Sequence, residues 1–421
     1  MSKKTLIRVK RAFIDGEIES ILGIEIEDHL ISKVIYDKDP DSSSYEKVYE
    51  FNSLTAVAGF IDIQVNGGNG HLVNPQISNV ELELIRQAHL KNGTTSILPT
   101  LITCDESGIQ TFIECFNANY YANPGILGFH LEGPLISTVR RGIHSLKSIR
   151  SSLSSATVSS LKLSAKLCSV IVTLAPEVSG IKLIEELSES EIIVGVSHTR
   201  ASYELGVKAV RGGAKLGTHI FNAMTEIHSR DPGIVLAMLE NNEFFVSLIA
   251  DGHHLHPSIL KMTIDLKTRA RALFVSDSMP FVGSDLERFE LENGFLEKQG
   301  NSLLFYEIEG ACNVKENSNV KLEKHGNNSS KRDEVGRKSE DIFNARLGGT
   351  LITMIDAVRY AVNEVGIDLV VALEMATSTP AVLLGIEDEV GRIRIRNRAD
   401  LVFLDEKLNV KHVFSYGKEI F

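Results

Sequence analysis

Four short strings place a residue able to ligate a metal or carry a proton just where an apolar run stops. They are "GFHLEG" with Glu132, "IVGVSH" with His198, "KLGTH" with His219 and "LFVSD" with Asp277. Two imidazoles and a carboxylate make a hard-to-borderline N₂O set suited to Zn²⁺ or Fe²⁺, with a position left open for water. The remaining carboxylate is of the type that accepts and returns a proton. A single histidine of this kind is more often a hydrogen-bonded structural residue. Four separate runs ending this way form a pattern.

The stretches that follow add polar groups. "RRGIHS" offers His144, "FNAMTEIHSRDPG" offers Asn222 and Arg230, and "IADGHHLHP" offers His254. A guanidinium is the natural bidentate partner of a phosphate, so Arg230 is a candidate anion contact, although a lone arginine is more often a solvated charge. His71, His89, His228, His253, His256, His325 and His412 match no such position and read as structural. In "GFIDIQVNGG", Asp62, Gln64 and Asn66 alternate with Ile61, Ile63 and Val65. Strand residues two apart share a face, so three polar side chains converge near the end of this run.

Something must bring these ends together. Eight short apolar runs recur from "GFIDIQVNGG" to "RALFVSD", separated by segments of helical spacing such as Val80–Asn92, Gly180–Ser190 and Ala201–Gly212. Strands alternating with helices imply an α/β fold with a parallel sheet. Eight is the number that closes a (β/α)₈ TIM-type barrel, whose C-terminal strand ends meet over one mouth. His130, which shares a face with Glu132, is then expected to pack in that mouth. A doubly wound open sheet is the alternative, but no Gly-rich dinucleotide loop follows the first strand.

Both ends of the chain alternate instead, as in "TLIRVKRAFIDG" with its Asp15-Gly16 turn and in "VKHVFSYGKEIF". They predict short antiparallel strands, forming a small β-sandwich domain from residues 1–57 and 389–421 around a barrel of residues 58–388. The stretch Lys315–Asp341 is polar, charged and nearly free of large apolar residues, and reads as a surface insertion.

The totals limit the partners. Of 421 residues, 44 are basic and 55 acidic, a net charge of −11 that argues against general nucleic-acid or anionic-membrane binding. Cys104, Cys115, Cys168 and Cys312 are widely spaced with no CxxC pair, the pattern of reduced thiols in a cytoplasmic protein. No apolar run is long enough to span a membrane, and no G-x-S-x-G elbow of a serine hydrolase occurs.

In order along the chain, "GFIDIQVNGG", "LPTLIT", "LGFHLEGPLI", "RRGIHS", "VTLAPE", "VSHT", "THIFNAM", "RDPG", "IADGHHLH", "VSDSM" and "LGGTLITMIDAVR" resemble the N-acetylglucosamine-6-phosphate deacetylases of the amidohydrolase superfamily. The resemblance covers the chain apart from Lys315–Asp341. It implies a divalent metal, Zn²⁺ ahead of Fe²⁺, held by Glu132, His198 and His219, with Asp277 as catalytic acid/base. It further implies substrate contacts from His144, Asn222, Ala223, Arg230 and His254, with Leu347 and Gly348 fitting the LGG motif.

The implied reaction is hydrolysis of the acetamide of N-acetylglucosamine 6-phosphate, by a cytoplasmic homodimer. An epimeric substrate such as N-acetylgalactosamine 6-phosphate is an alternative within the class. A non-catalytic sugar-phosphate sensor is an alternative outside it, and predicts the loss of at least one of the four strand-end residues. All four are present. Many amidohydrolases carry His-x-His where this chain has Gln64 and Asn66. Neutral amides are weak ligands, so one metal per chain is expected, with both amides hydrogen-bonding around it. Arg396 stands where relatives carry a turn glycine.

Overall fold

A computed structural model describes residues 4–120, 123, 125–267, 270–308 and 342–421. The expected insertion Lys315–Asp341 lies outside the described residues. Eight strands form one parallel sheet in chain order: β1 (Phe60–Val65), β2 (Thr94–Ile102), β3 (Gly128–Glu132), β4 (Ser169–Leu174), β5 (Ile193–Val196), β6 (Leu216–Gly217), β7 (Phe245–Leu248) and β8 (Ala272–Phe274). The sheet closes just past β8. Asp277 donates its backbone N–H to the Gln64 carbonyl at 3.0 Å, and Ser278 bridges Val65 in parallel. The eight-stranded barrel is therefore the fold, and its ring closure sits beside the predicted acid/base.

The elements form for local reasons. The helix Asn79–Leu90 starts at a capping box in which the Ser78 hydroxyl and the Glu81 carboxylate satisfy each other's backbone N–H. The helix Tyr203–Arg211 is capped by Ser202 and carries Glu204 in its first turn and Arg211 in its last, matching the macrodipole. Short strands of Val, Ile and Leu between such helices are buried throughout, as parallel strands require. Ile61 and Ile63 pack in one apolar cluster with Leu98, Ile171, Ile193, Leu216, Phe245 and Leu273 from other strands. Ala381 and Leu383 of the helix Ser378–Leu384 join it.

Strands from both ends of the chain pair in one six-stranded sheet, where Leu401–Leu404 lies antiparallel to Thr55–Ala58. A four-stranded sheet of Leu30–Ile35, Gly23–Glu27, Lys4–Arg8 and Lys47–Glu50 packs against it through Ile7, Ile24, Phe51, Phe403 and Phe414. Two of the pairings are not antiparallel. Lys4–Arg8 runs parallel to Lys47–Glu50, and Arg11–Ile14 runs parallel to Thr55–Ala58. The intervening strands provide the long crossover that parallel pairing needs.

One element was not expected from the sequence. Arg288–Leu291, Gly294–Gln299, Ser302–Ile308 and Ile342–Leu347 form a four-stranded antiparallel sheet after β8. Its last two strands pair from Ile308↔Ile342 to Leu304↔Leu347, across the polar insertion that separates them in sequence.

Candidate active site

The four strand-end residues converge. Glu132 is the last residue of β3, His198 and His219 lie two residues past β5 and β6, and Asp277 lies three past β8. His198, His219 and Asp277 adopt φ of 48°, 36° and 50°, in the left-handed region that non-glycine residues rarely enter. Such strain is held only where the surroundings over-determine it. Here three strands leave the barrel by the same turn, which swings each side chain into the mouth.

Glu132 Oε1 lies 3.2 Å from His198 Nε2 and 2.8 Å from His219 Nε2. One ligand atom from each of the three residues falls within 4.8 Å of the others. Nδ1 of His198 lies 2.8 Å from the Arg140 carbonyl, which can only accept, so Nδ1 carries the proton. The neutral ring then turns the Nε2 lone pair toward a carboxylate oxygen. Two lone pairs facing each other in a buried site need a shared cation, either a proton or a metal ion. Nδ1 of His219 is held by Ser197 Oγ at 3.1 Å, which also leaves its Nε2 for the cluster. The triad fits a divalent metal by donor type, burial and the engagement of each outer nitrogen.

Burial raises the Glu132 carboxyl, but the two imidazoles outweigh it and hold the group well below its ordinary range. Burial lowers His219, and Glu132 more than restores it, so its net shift is upward. Asp277 is pushed up to about 6 by burial and by the charge on Glu132.

The two amides are part of this cluster. Gln64 Nε2 lies 3.2 Å from both Glu132 Oε1 and Asp277 Oδ1, and Asn66 Nδ2 donates to Asp277 Oδ1 at 2.7 Å. Oδ1 is thus engaged twice, which leaves Oδ2 as the oxygen available to a proton. Asp62, on the same stretch, does not reach the mouth. Its Oδ1 accepts the backbone N–H groups of Gln64 and Ser276, tying β1 to β8.

His144 is the reverse of His198. Its Nδ1 faces the Thr103 backbone N–H at 3.2 Å and the Thr103 hydroxyl at 2.7 Å. An N–H can only donate, so Nδ1 accepts and Nε2 bears the proton, 3.9 Å from Glu132 Oε2. Burial lowers His144 to about 3, which keeps it a neutral donor. The opposite tautomers leave His198 Nε2 with a free lone pair, as a ligand would need, and His144 Nε2 as a hydrogen-bond donor.

A cleft of about 320 Å³ opens over this cluster and is lined in part by Asn66, Glu132, His144, His198, His219, Asn222, Ala223, His254, Asp277 and Leu347. His254 is oriented by Asp251, whose Oδ2 lies 2.7 Å from Nδ1. Gly348 and Gly349 also line the cleft. A Cβ on Gly348 would stand 2.6 Å from Leu296, so the close approach of this strand end requires glycine. Arg230 is the exception among the expected residues, being exposed and absent from the cleft lining. His130 is buried below the mouth, between the Ile63 carbonyl and Thr173 Oγ1. His89 braces the Gly67 carbonyl at 2.9 Å, a structural place.

The sequence reading missed the residues that fix the His144 loop. Arg141 grips Glu307 with Nη2 at 2.7 and 2.9 Å from the two carboxylate oxygens, and its Nη1 donates to the His144 carbonyl. Asn293 donates to the Ile143 carbonyl at 3.0 Å. Both partners come from the unexpected four-stranded sheet, so finding them required finding that sheet.

A sequence profile of the Amidohydrolase family matches residues 55–420. The chain is 31% identical over 412 residues to an N-acetylgalactosamine-6-phosphate deacetylase of Shewanella sp. (strain ANA-3), covering 98% of this chain and 94% of that one. It is also 31% identical over 378 residues to an N-acetylglucosamine-6-phosphate deacetylase of Haemophilus influenzae, covering 87% and 86%. The crystal structure of an N-acetylglucosamine-6-phosphate deacetylase from Pasteurella multocida superposes with a TM-score of 0.84 at 26% identity over the full length of both chains.

Proposed function

The chain belongs to the amidohydrolase family, and on that premise we propose that it hydrolyses the acetamide of N-acetylglucosamine 6-phosphate, giving glucosamine 6-phosphate and acetate in amino-sugar metabolism. The observation that carries this reading is the convergence of Glu132, His198 and His219 with Asp277 in one cleft.

Glu132, His198 and His219 would hold a single divalent ion, Zn²⁺ in our reading. Its contribution when bound is Lewis acidity toward water and toward an amide carbonyl. The remaining steps are assigned to the chain's own groups. Asp277 accepts the proton of the attacking water on Oδ2, with Oδ1 fixed by Asn66 and Gln64. It then returns that proton to the leaving amine, which must depart neutral. His144 Nε2–H points toward the same side as Glu132 Oε2, where a neutral donor can stabilise negative charge developing on the carbonyl oxygen. Asn222, Ala223, His254 and Leu347 position the sugar from the cleft walls.

Gln64 and Asn66 occupy with hydrogen-bond donors the place where two imidazoles would favour a second ion, so one metal equivalent per chain is expected. Two equivalents on elemental analysis after dialysis would refute this. A cytoplasmic homodimer completes the reading, supported by the family resemblance. So does a division into a barrel of residues 58–388 and a β unit of residues 1–57 and 389–421, supported by the shared six-stranded sheet. No described helix is long and apolar enough to cross a membrane, and Cys104, Cys115 and Cys168 form no disulfide among the described residues.

A second reading is favoured by one observation: the N-acetylgalactosamine-6-phosphate deacetylase of Shewanella matches 98% of this chain. Assaying acetate release from the two epimeric 6-phosphates decides between them. A higher kcat/KM for the glucosamine epimer supports the proposal, a higher value for the galactosamine epimer replaces it, and release from neither sinks both.

A further inference from the structure

"VTLAPE" and "VSHT" each end on a residue that the chemistry above leaves unused, Glu177 and Thr199. Glu177 sits in the one-turn helix Pro176–Ser179 just past β4, exposed and outside the cleft lining. An exposed glutamate is ordinarily left to water. Here both carboxylate oxygens are spent on the neighbouring strand end. Oε2 accepts the Thr199 hydroxyl at 2.5 Å, and Oε1 accepts the Arg200 backbone N–H at 2.6 Å. Thr199 itself is fully buried, and hydrogen bonds to an ionised acceptor are the short, strong kind.

Thr199 and Arg200 directly follow His198, which stands at φ 48°. A left-handed turn at a non-glycine residue persists only where its surroundings over-determine it. The His198 carbonyl accepts the Ser137 N–H at 2.8 Å, and its ring is held by the Arg140 carbonyl. Glu177 fixes the exit of the turn. The Thr199 hydroxyl gives its proton to Glu177 and accepts the Ala201 N–H at 3.0 Å. The Thr199 N–H donates to the Ala223 carbonyl at 3.0 Å, and the Asn222 N–H to the His219 carbonyl at 3.0 Å. One carboxylate outside the cleft thus reaches the turns that follow β5 and β6, and with them both imidazoles of the triad.

Resting on the metal reading above, we propose that Glu177 is a positioning residue of the metal site, a clamp that holds the strained turn at His198 in register with the turn carrying His219, Asn222 and Ala223. Ligand geometry tolerates little error, and neither imidazole can aim its Nε2 unless its own backbone turn is fixed. The carboxylate touches neither ligand. It acts through Thr199, whose hydroxyl and N–H face the two turns in opposite directions.

The experiment compares wild type, Glu177→Ala and Glu177→Gln by chelator competition for Zn²⁺, by amide hydrogen exchange at Thr199 in the metal-free chain, and by denaturant unfolding. Losing an outer partner of a ligand typically costs about 10–100-fold in metal affinity. Glu177→Ala should therefore raise the Kd for Zn²⁺ by about that factor and speed exchange at Thr199. Glu177→Gln keeps an acceptor for the Arg200 N–H without the charge, so its Kd should fall between the other two. Unchanged Zn²⁺ affinity in both variants, whatever happens to global stability, would mean that the contact merely ties two loops, and would overturn the proposal. If Glu177→Ala does not fold, Glu177→Gln decides alone, a weakened Zn²⁺ affinity supporting the clamp and an unchanged one overturning it. If wild type takes up no Zn²⁺, the metal reading fails on its own. Faster Thr199 exchange in the variants would then still support the clamp on the His198 turn, and unchanged exchange would overturn it.

Discussion

Among the described residues, two buried groups of charged side chains differ in whether they close on themselves. Where barrel and terminal strands meet, Arg398 bonds Asp400, the Tyr416 hydroxyl at 3.0 Å and Ser96 Oγ at 2.6 Å. Asp400 Oδ1 accepts the Tyr416 backbone N–H at 2.8 Å. One cation meets one anion, and each is hydrogen-bonded. In the mouth, Glu132 and Asp277 share a few ångströms with two imidazoles whose outer nitrogens are already engaged, and Gln64 Oε1 and Asn66 Oδ1 have no hydrogen-bond partner among the described residues. Burying charge is costly unless it is paired. A cluster that closes on itself holds the fold together. A cluster left with excess negative charge and unused acceptors is organised for something that arrives later.

The largest effect is expected at the proposed metal ligands. His198→Ala should lose bound metal and activity together while the chain stays folded, as read by elemental analysis, acetate release and circular dichroism. Retention of the metal would remove the triad from the argument. Asp277→Asn comes next, with a fall in kcat of about 10²–10⁴-fold at unchanged metal content. The pH profile sharpens this. Asp277 accepts a proton only when ionised and is raised to about 6 in the metal-free chain. Activity should therefore fall on the acid side as pH drops through about that value, or lower once a cation is bound. The asparagine variant should lose that limb.

Arg398→Ala tests the other cluster. It leaves Asp400 buried without its counter-ion, which costs about 3–5 kcal/mol of stability, measured by denaturant unfolding, with metal content per folded chain unchanged. A stable variant would show that this pair is not structural. The smallest expected effect is at Arg396, which stands at φ 77° in the turn the resemblance assigns to glycine. Arg396→Gly relieves a left-handed strain of about 1–2 kcal/mol but loosens the unfolded chain by about 0.5–1 kcal/mol. A modest net gain in stability is expected, with neither cluster disturbed.

Much of this was legible without coordinates. The eight strands and the helices between them follow from period and turn residues, which are local properties. Glu132, His198, His219 and Asp277 were legible because each directly follows an apolar run. Gln64 and Asn66 could be recognised as odd, since amides on a buried strand face ask for partners. Their partners, 68 and more residues away in sequence, could not be named.

By itself, then, the sequence determined the barrel's strands and helices, the strand-end residues and their likeness to the amidohydrolases, because spacing and side-chain type are fixed along the chain. Only the tertiary structure decided which nitrogen of each imidazole is free, since that depends on whether a carbonyl or an N–H stands opposite: the Arg140 carbonyl for His198 and the Thr103 N–H for His144. It also decided that the charge of Arg141 is matched. Glu307 stands 166 residues from Arg141, on a sheet whose last two strands are separated by the polar insertion. Charge pairing at that range depends on how the chain folds back, and no local pattern records it.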